Sequence, residues 1–425
     1  MADTIFALSS GSPPAAIAVV RISGPQAGEA LAALAGALPK PRMASYRTLR
    51  VPRGTVLDQA LVLWFPGPRT ATGEDLAELH LHGGRAVVAA VEAALADLSG
   101  LRRAVPGEFT RRAFANGRID LAEAEGLADL LTAETDLQRR AALAMAGGAF
   151  SRQIEEWRDR VLAASAAVEA VLDFGDEDDV ADLPPDFIAR LDVLAGEVSD
   201  WLSRPRAETL REGFRVVLAG PPNAGKSTLF NALVEDEAAI TAPLAGTTRD
   251  VLTRAVAIGG VPFVFADTAG LRDESGDEIE VIGIARARAA LEGADLVLWL
   301  GPEGEGPDAA WEIAAQSDRD DASAKSTPRH RVSAVTGEGL DALRTDLIET
   351  ARHAMPRPGE AALNRRQHAL LVQAETTLRD ARHETDPLLV AEALRLVRVA
   401  FDALIGRATT EDMLDALFGR FCIGK

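Results

Sequence analysis

Apolar runs of strand length alternate with helical periodicity through residues 1–118. AAIAVVRISG, QALVLWF and DLAELHLHGG read as strands. GPQAGEALAALAG and RAVVAAVEAALADL place apolar residues three and four apart, as a helix buried on one face requires. The pattern predicts an α/β domain over 1–118. From 119 to 210 it turns helical: IDLAEAEGLADLLTAETDLQRRAALAMAG, FSRQIEEWRDRVLAASAAVEAVLDF and FIARLDVLAGEVSDWL, broken by the acidic, proline-containing GDEDDVADLPPD. Residues 213–350 return to strand–helix alternation, with 302–328 polar and loop-like apart from its centre. LNRRQHALLVQAETTLRDAR and LVAEALRLVRVAFDALIG are helical again. The last 60 or so residues are too few to bury their own apolar faces, so they are expected to pack on the earlier helices. The predicted architecture is α/β plus α. An α/β domain (1–118) precedes a helical domain in two parts (119–210 and 356–425), with a second α/β domain (211–355) inserted between them.

Composition narrows this picture. No run of about 18 apolar residues suggests a membrane span. The start, MADTIFALSSGSPP, lacks the basic and apolar regions of a signal peptide. The single cysteine, Cys422, excludes an intrachain disulfide and fits a cytoplasmic setting. The net charge of −19 does not suggest nucleic acid, although a local basic patch rather than the total decides such contact. The arginine pairs at 102–103, 111–112, 139–140 and 365–366 are candidates for phosphate contact, or solvated helix faces. Only four lysines occur, Lys40, Lys226, Lys325 and Lys425. A surviving lysine can mark a place where arginine does not serve; Lys226 and Lys425 are read so, and Lys40 and Lys325 as chance retention.

The strand-like FRVVLAG runs into GPPNAGKS and then the helical TLFNALV. This is G-x-x-x-x-G-K-[ST] in the strand–loop–helix setting that phosphate binding requires. The backbone N–H groups of Asn223, Ala224, Gly225, Lys226, Ser227 and Thr228 would face the phosphates. Lys226 would reach the β- and γ-phosphates, and Ser227 would ligate Mg²⁺. LAGTTRD follows with Thr247 and Thr248, the latter able to complete the Mg²⁺ shell. VPFVFADTAG ends in D-x-x-G, where Asp267 would hold Mg²⁺ through water and the Gly270 N–H would sense the γ-phosphate. RVSAVTGEG offers Ser333 and Ala334 behind the base. The order points to a GTPase.

Three positions depart from the usual pattern. Leu271 stands where a glutamine commonly orients the attacking water, and it can neither donate nor accept. Asn223 in the phosphate loop is a candidate cation ligand, or a turn residue. In AAQSD, Asp318 is placed to read guanine, but Ala315 and Gln316 replace the usual Asn and Lys. A second register would use Asp320.

Several stretches together resemble the tRNA-modifying GTPase family MnmE, also called TrmE. They are DTIFALSS, VVRISG, TGEDLAELHLHGG, PGEFTRRAFANGRIDLAEAEGLADL, GPPNAGKSTLFNAL, AGTTRDV, DTAGLRD and the terminal FCIGK. The resemblance spans essentially the whole chain. It implies an N-terminal tetrahydrofolate-binding-like domain that forms a homodimer, a helical domain, and an inserted Ras-like GTPase domain. It further implies C5 modification of the tRNA wobble uridine with an FAD-containing partner, MnmG, and a one-carbon unit from a 5,10-methylene- or 5-formyl-tetrahydrofolate. GTP hydrolysis would need Mg²⁺ and be activated by K⁺, held by Asn223, the carbonyls of Ala242 and Leu244, and Thr247. Glu280 would orient the water, with Glu278 a competitor because the segment is one residue longer than the family pattern. The folate positions carried over are Arg21, Glu78, Arg118 and Lys425, with FCIGK folding back toward the pocket. Cys422 reads either as a packed small hydrophobe or as a nucleophile. His80 and His82 share a strand face and read as strand-end residues rather than a metal pair. The residues leave two other classes open: a GTPase switch acting on ribosomal RNA, and an ATP-using phosphate-loop protein.

Overall fold

The computed structural model describes residues 3–51, 54–174, 183–234, 238–239, 252–267, 290–319, 325–408 and 410–424. The chain divides into two compact units, Met1–Ala128 with Asp402–Lys425, and Asp129–Phe401.

The first unit is built on a six-stranded sheet. Its strands are β1 (Thr4–Leu8), β2 (Ile17–Ser23), β3 (Ser45–Arg50), β4 (Val56–Phe65), β5 (Leu76–His82) and β6 (Leu101–Arg103), in the order β3-β4-β5-β2-β1-β6. All neighbours are antiparallel except β1 and β6. Alternation puts Ala18, Val20 and Ile22 of β2 and Ala77, Leu79 and Leu81 of β5 on one face. There they meet Ala27, Leu31 and Leu34 of helix α1 (Ala27–Ala35) and Val88, Val91 and Leu95 of α2 (Arg85–Ala96). Arg21, Glu78 and His80 alternate with these core residues, so the same pleat delivers polar groups to the opposite face. The strands β1, β3 and β6 were not read from the sequence, being short or strongly polar.

Helix α3 (Glu108–Ala115) carries the EFTRRAF stretch, and α4 spans Leu121–Thr132. The C-terminal helix Glu411–Phe418 closes this unit: Leu414, Phe418 and Phe421 pack with Leu121 and Ala124. Arg111 of α3 pairs with both Glu411 and Asp415 of that helix.

In the second unit, α5 (Asp136–Ala146) starts at a capping box in which Thr135 and Gln138 satisfy each other's backbone N–H groups. This cap explains why one long helical pattern breaks into α4 and α5. Helices α6 (Ala149–Phe174) and α7 (Phe187–Leu202) follow, then α8 (Ala207–Glu212). The late helix Arg365–Ala381 packs on α7, and Phe401 of Pro387–Leu404 lies 5.9 Å from Trp157 of α6, ring to ring. The expectation that late helices cover early ones is met at these contacts. The last residues, from Asp402, instead belong with the first unit.

The inserted α/β part has seven strands: β7 (Phe214–Ala219), β8 (Ala238–Ala239), β9 (Leu252–Ile258), β10 (Val261–Asp267), β11 (Leu296–Trp299), β12 (Trp311–Ala314) and β13 (His330–Arg331). Their order is β13-β12-β11-β7-β10-β9-β8. The five strands from β13 to β10 run parallel, and β9 and β8 are antiparallel additions. Strand β10 is buried at every position, as a parallel strand covered on both faces should be. Its neighbour β7 leads into helix α9 (Lys226–Val234). Strand order reverses about β7, which opens a crevice at the carboxyl ends of the parallel strands, where ligands bind in open α/β sheets.

Candidate functional site: a phosphate loop with a base pocket

The loop from Gly220 to Gly225 joins β7 to α9 at that crevice. Gly225 has φ +85°, and a Cβ there would lie 3.2 Å from the Gln316 side chain. The left-handed backbone favours glycine, and any Cβ would make the Gln316 side chain give way. Asn223 is also left-handed, with φ +62°, a conformation asparagine tolerates better than most residues. Ala224 between them is half-buried, and its methyl packs against the core of the inserted part. Its N–H donates to the Pro221 carbonyl at 3.4 Å, a long bond that closes the loop's own turn. The Ala224 N–H expected to face the phosphates is thus turned into the loop here, and a bond of that length is weak enough to exchange for a phosphate oxygen.

Lys226 is buried, and its Nζ donates to the carbonyl oxygens of Gly220 (3.1 Å) and Pro221 (2.8 Å). The ammonium is thus held within the curl of the loop. Ser227 Oγ donates to Oδ2 of Asp267 at 2.5 Å. Asp267 ends β10 opposite Leu218 of β7 and is buried. Two sequence-distant oxygen donors therefore converge beside the phosphate loop, a donor set suited to a hard divalent cation such as Mg²⁺.

On the far side of Gly225 a cavity of about 220 Å³ is lined by Thr228, Leu229, Gln316, Asp318, Ala334 and Val335, among others. Ser333 is fully buried, and its hydroxyl donates to Asp318 Oδ1 at 2.6 Å. That bond orients the Asp318 carboxylate at the pocket wall. Gln316 has φ +57°, and its Nε2 donates to the Asn223 carbonyl at 3.4 Å. The residue standing in the lysine position of the guanine motif thus ties the base loop to the phosphate loop.

One residue here was not given a role from the sequence. Lys325 is buried, donates to the Trp299 carbonyl at 2.8 Å and pairs with Glu312 of β12. It fastens the chain that returns from the base loop. Lysine scarcity was the signal that could have found it. Lys40, by contrast, is exposed.

In the first unit, Arg21 and Glu78 face each other across β2 and β5. Glu78 Oε1 accepts from Arg21 Nε (3.1 Å) and Nη2 (2.9 Å), and its Oε2 lies 3.3 Å from His80 Nε2. Arg118 is exposed, lies against Gly73 and makes no ion pair among the described residues. The tail returns to the same domain: Ser9 Oγ donates to the Gly424 carbonyl at 2.7 Å. Gly424 has φ +94°, and a Cβ there would sit 2.0 Å from the Leu8 carbonyl oxygen. Cys422 is exposed, which corrects its reading as a packed hydrophobe. His82 bonds Asp58 at 2.8 Å and His80 turns to Glu78, so each histidine has a carboxylate partner.

Three of the four arginine pairs are engaged internally. Arg102 pairs with Asp3 and Glu108, and Arg103 with Glu92. Arg111 pairs with Glu411 and Asp415, and buried Arg112 with Asp3, Glu74 and Glu108. Arg139 and Arg140 share Asp136. Of these six, only Arg112 is buried and serves the fold outright; Arg139 and Arg140, half exposed beside Asp136 of their own helix, form a solvated helix face. Ala242, Leu244, Thr247, Thr248, Gly270, Leu271, Glu278, Glu280, Asp320 and Lys425 lie outside the described residues.

Comparison with known proteins gives two family models. The one described as the MnmE helical domain matches residues 121–422, and the one described as the GTP-binding protein TrmE N-terminus matches 4–118. Three similar relatives are named tRNA modification GTPase MnmE. The protein from Novosphingobium aromaticivorans is 68% identical and that from Erythrobacter litoralis 65%, each over all of both chains. The Rhizorhabdus wittichii protein is 59% identical over all of this chain and 97% of its own.

Proposed function

The chain belongs to the MnmE family of tRNA modification GTPases, and on that premise we propose how its residues divide the work. It is a GTP-hydrolysing enzyme of tRNA modification. The finer reading is that K⁺-activated GTP hydrolysis drives modification at C5 of the wobble uridine, with a one-carbon unit taken from a tetrahydrofolate and with an FAD-containing partner. The protein works as a cytoplasmic homodimer.

Lys226 and the backbone N–H groups of Asn223, Ala224, Gly225, Ser227 and Thr228 bind the phosphates. Ser227 and Thr248 hold Mg²⁺, with Asp267 behind them. When bound, the metal offsets charge on the β- and γ-phosphoryl oxygens. Asn223, Ala242, Leu244 and Thr247 hold K⁺, which supplies positive charge where an arginine finger acts in other GTPases. Glu280 orients the attacking water, a task Leu271 has no group to perform. Gly270 senses the γ-phosphate, and Asp318, steadied by Ser333 and backed by Ala334, reads guanine. Arg21, Glu78, Arg118 and Lys425 hold the folate: Glu78, with Arg21 bonded beside it, against the pterin edge, and the other cations against the folate's own carboxylates.

The convergence of Lys226, Ser227 and Asp267 at one crevice carries the nucleotide part of this reading. The whole is tested by incubating the chain with unmodified tRNA, the flavoprotein partner, GTP, Mg²⁺, K⁺, methylene-tetrahydrofolate and ammonium or glycine. Nucleoside mass spectrometry should then find a C5-substituted uridine that disappears when GTP or the folate is left out. Unchanged uridine under every combination would contradict it.

A further inference from the structure

No acidic residue stands between Glu29 and Asp58, whereas the chain as a whole carries 64 acids against 45 bases. Lys40, Arg42, Arg47 and Arg50 fall in that interval. Arg47 and Arg50 lie on β3, the outermost strand of its sheet, with β4 as its one neighbour. Lys40 and Arg42 lie in the connection that leads into it. Arg42 also donates to the carbonyl of Arg69, which brings a fifth cation to the same edge, and its guanidinium lies over the Phe65 ring, 5.8 Å from the centroid. None of these five makes an ion pair among the described residues. The contrast with Arg102, Arg103, Arg111, Arg112, Arg139 and Arg140, all held by carboxylates, is direct.

Two exposed apolar side chains sit among these cations. Tyr46 on β3 is 62% exposed, beside Leu61 of β4, and Met43 is 56% exposed. A charged edge strand guards against edge-to-edge pairing. That role accounts for Arg47 or Arg50, but not for Lys40, Arg42 and Arg69, which lie off the strand. Six residues of strand extend about 20 Å, long enough to follow several phosphates. Unpaired cations gathered at one sheet edge and its flanking connections, with an exposed aromatic ring among them, match a polyanion with stackable bases.

We propose that the β3 edge, with Lys40, Arg42, Arg47, Arg50, Arg69 and Tyr46, is the surface on which the RNA substrate docks. The proposal rests on the tRNA reading above and gives it a location. In a chain of net charge −19, such a local patch is what lets a polyanion approach.

The test is binding of labelled bacterial tRNA to the full chain over a series of KCl concentrations. The wild type, Arg47→Gln/Arg50→Gln and Tyr46→Leu would be compared. Tyr46 and Arg50 are exposed and Arg47 is half-buried, and all three belong to the first unit, which does not carry the phosphate loop, so GTP hydrolysis without RNA should be unchanged. The double variant should bind about tenfold more weakly near physiological salt. Its plot of log affinity against log salt should flatten by about 1.5, close to one counterion per lost phosphate contact. Tyr46→Leu should lose about tenfold with the slope unchanged. Wild-type binding with both variants identical to it would overturn the proposal and leave the tRNA reading standing. A variant that dissociates the protein into monomers while its RNA slope stays fixed would assign this edge to a second copy of the chain, and so overturn it. Failure of the wild type to bind tRNA at any salt would overturn both.

Discussion

The hydroxyl of Ser333 donates a 2.6 Å hydrogen bond to the carboxylate of Asp318, fifteen residues earlier in the chain. It fixes the one recognisable member of the guanine motif. An ionised carboxylate at that wall can accept from both the ring N–H and the amino group of guanine, and adenine offers no matching pair. Asp318→Asn should lower GTP affinity by about 100-fold, the loss of charge-assisted bonds of about 1.5–3 kcal/mol each, and should favour xanthosine triphosphate. Ser333→Ala should cost about tenfold, roughly 1 kcal/mol. Titration with a fluorescent guanine nucleotide checks both.

Gln316 ties the base loop to the phosphate loop through a single 3.4 Å bond to the Asn223 carbonyl. A neutral bond at this distance is weak. Gln316→Lys would put an ammonium within reach of the same carbonyl and make the bond charge-assisted. Nucleotide dissociation should slow about three- to tenfold in Gln316→Lys, while Gln316→Ala should dissociate faster than the wild type. Stopped-flow release of a fluorescent GDP measures both.

The Ser227–Asp267 pair predicts where metal dependence resides. Ser227→Ala removes the oxygen proposed to face the metal and leaves the Lys226 contacts in place. GTP turnover in saturating Mg²⁺ should fall at least about 100-fold, whereas GDP affinity in EDTA should stay within about threefold of wild type. Equal losses in both assays would mean that Ser227 supports the loop rather than the metal.

Acid stability of the first unit should depend on Glu108. Burial pushes its carboxyl up, but hydrogen bonds from Arg102, the Val105 N–H and Arg112 outweigh this and hold it below its ordinary 4.5. Asp3 is likewise held low, against burial, by Arg102 and Arg112. A carboxyl lowered on folding stabilises fully above its unfolded value and loses that contribution as pH falls through the folded one. Stability should therefore be level above about pH 5 and fall below 4.5. Glu108→Gln should cost about 3 kcal/mol at neutral pH, because it leaves buried Arg112 short of a partner, and should flatten the acid limb. Thermal melts across pH 3 to 8 would show it.

The C-terminal tail gives a prediction confined to the proposed folate site. A Cβ at Gly424 would collide with the Leu8 carbonyl at 2.0 Å in a backbone of φ +94°. Gly424→Ala should lift the tail and its Ser9 contact. Binding of 5-formyl-tetrahydrofolate, followed by calorimetry, should weaken at least about tenfold, with GTP hydrolysis unaltered.

The parts legible in the sequence are those fixed by local chemistry. Gly225, Lys226 and Ser227 announce a phosphate loop because no substitute supplies that backbone and those groups at that spacing. The strands β2, β4, β5, β7 and β10 announce themselves by apolar patterning. Spacing alone did not show that the Ala224 N–H closes on Pro221, because that depends on how the loop curls. Long-range pairing was not legible. Nothing near Arg111 reveals that its partners are Glu411 and Asp415, some 300 residues on, so the Arg111–Arg112 pair, which ties distant segments together, looked like free surface charge. Lys325 looked incidental because Glu312 and the Trp299 carbonyl meet it only once β11 and β12 lie side by side. The β3 edge was hidden for the opposite reason: the net charge of −19 averages over a stretch that carries no acid at all.

The central claim is a guanine-selective, K⁺-activated GTPase, and steady-state hydrolysis by the purified chain tests it most directly. GTP and ATP would each be assayed in K⁺ and in Na⁺. GTP turnover should exceed ATP turnover and rise at least about tenfold in K⁺ relative to Na⁺. Equal rates in the two salts, or equal use of ATP, would contradict the account.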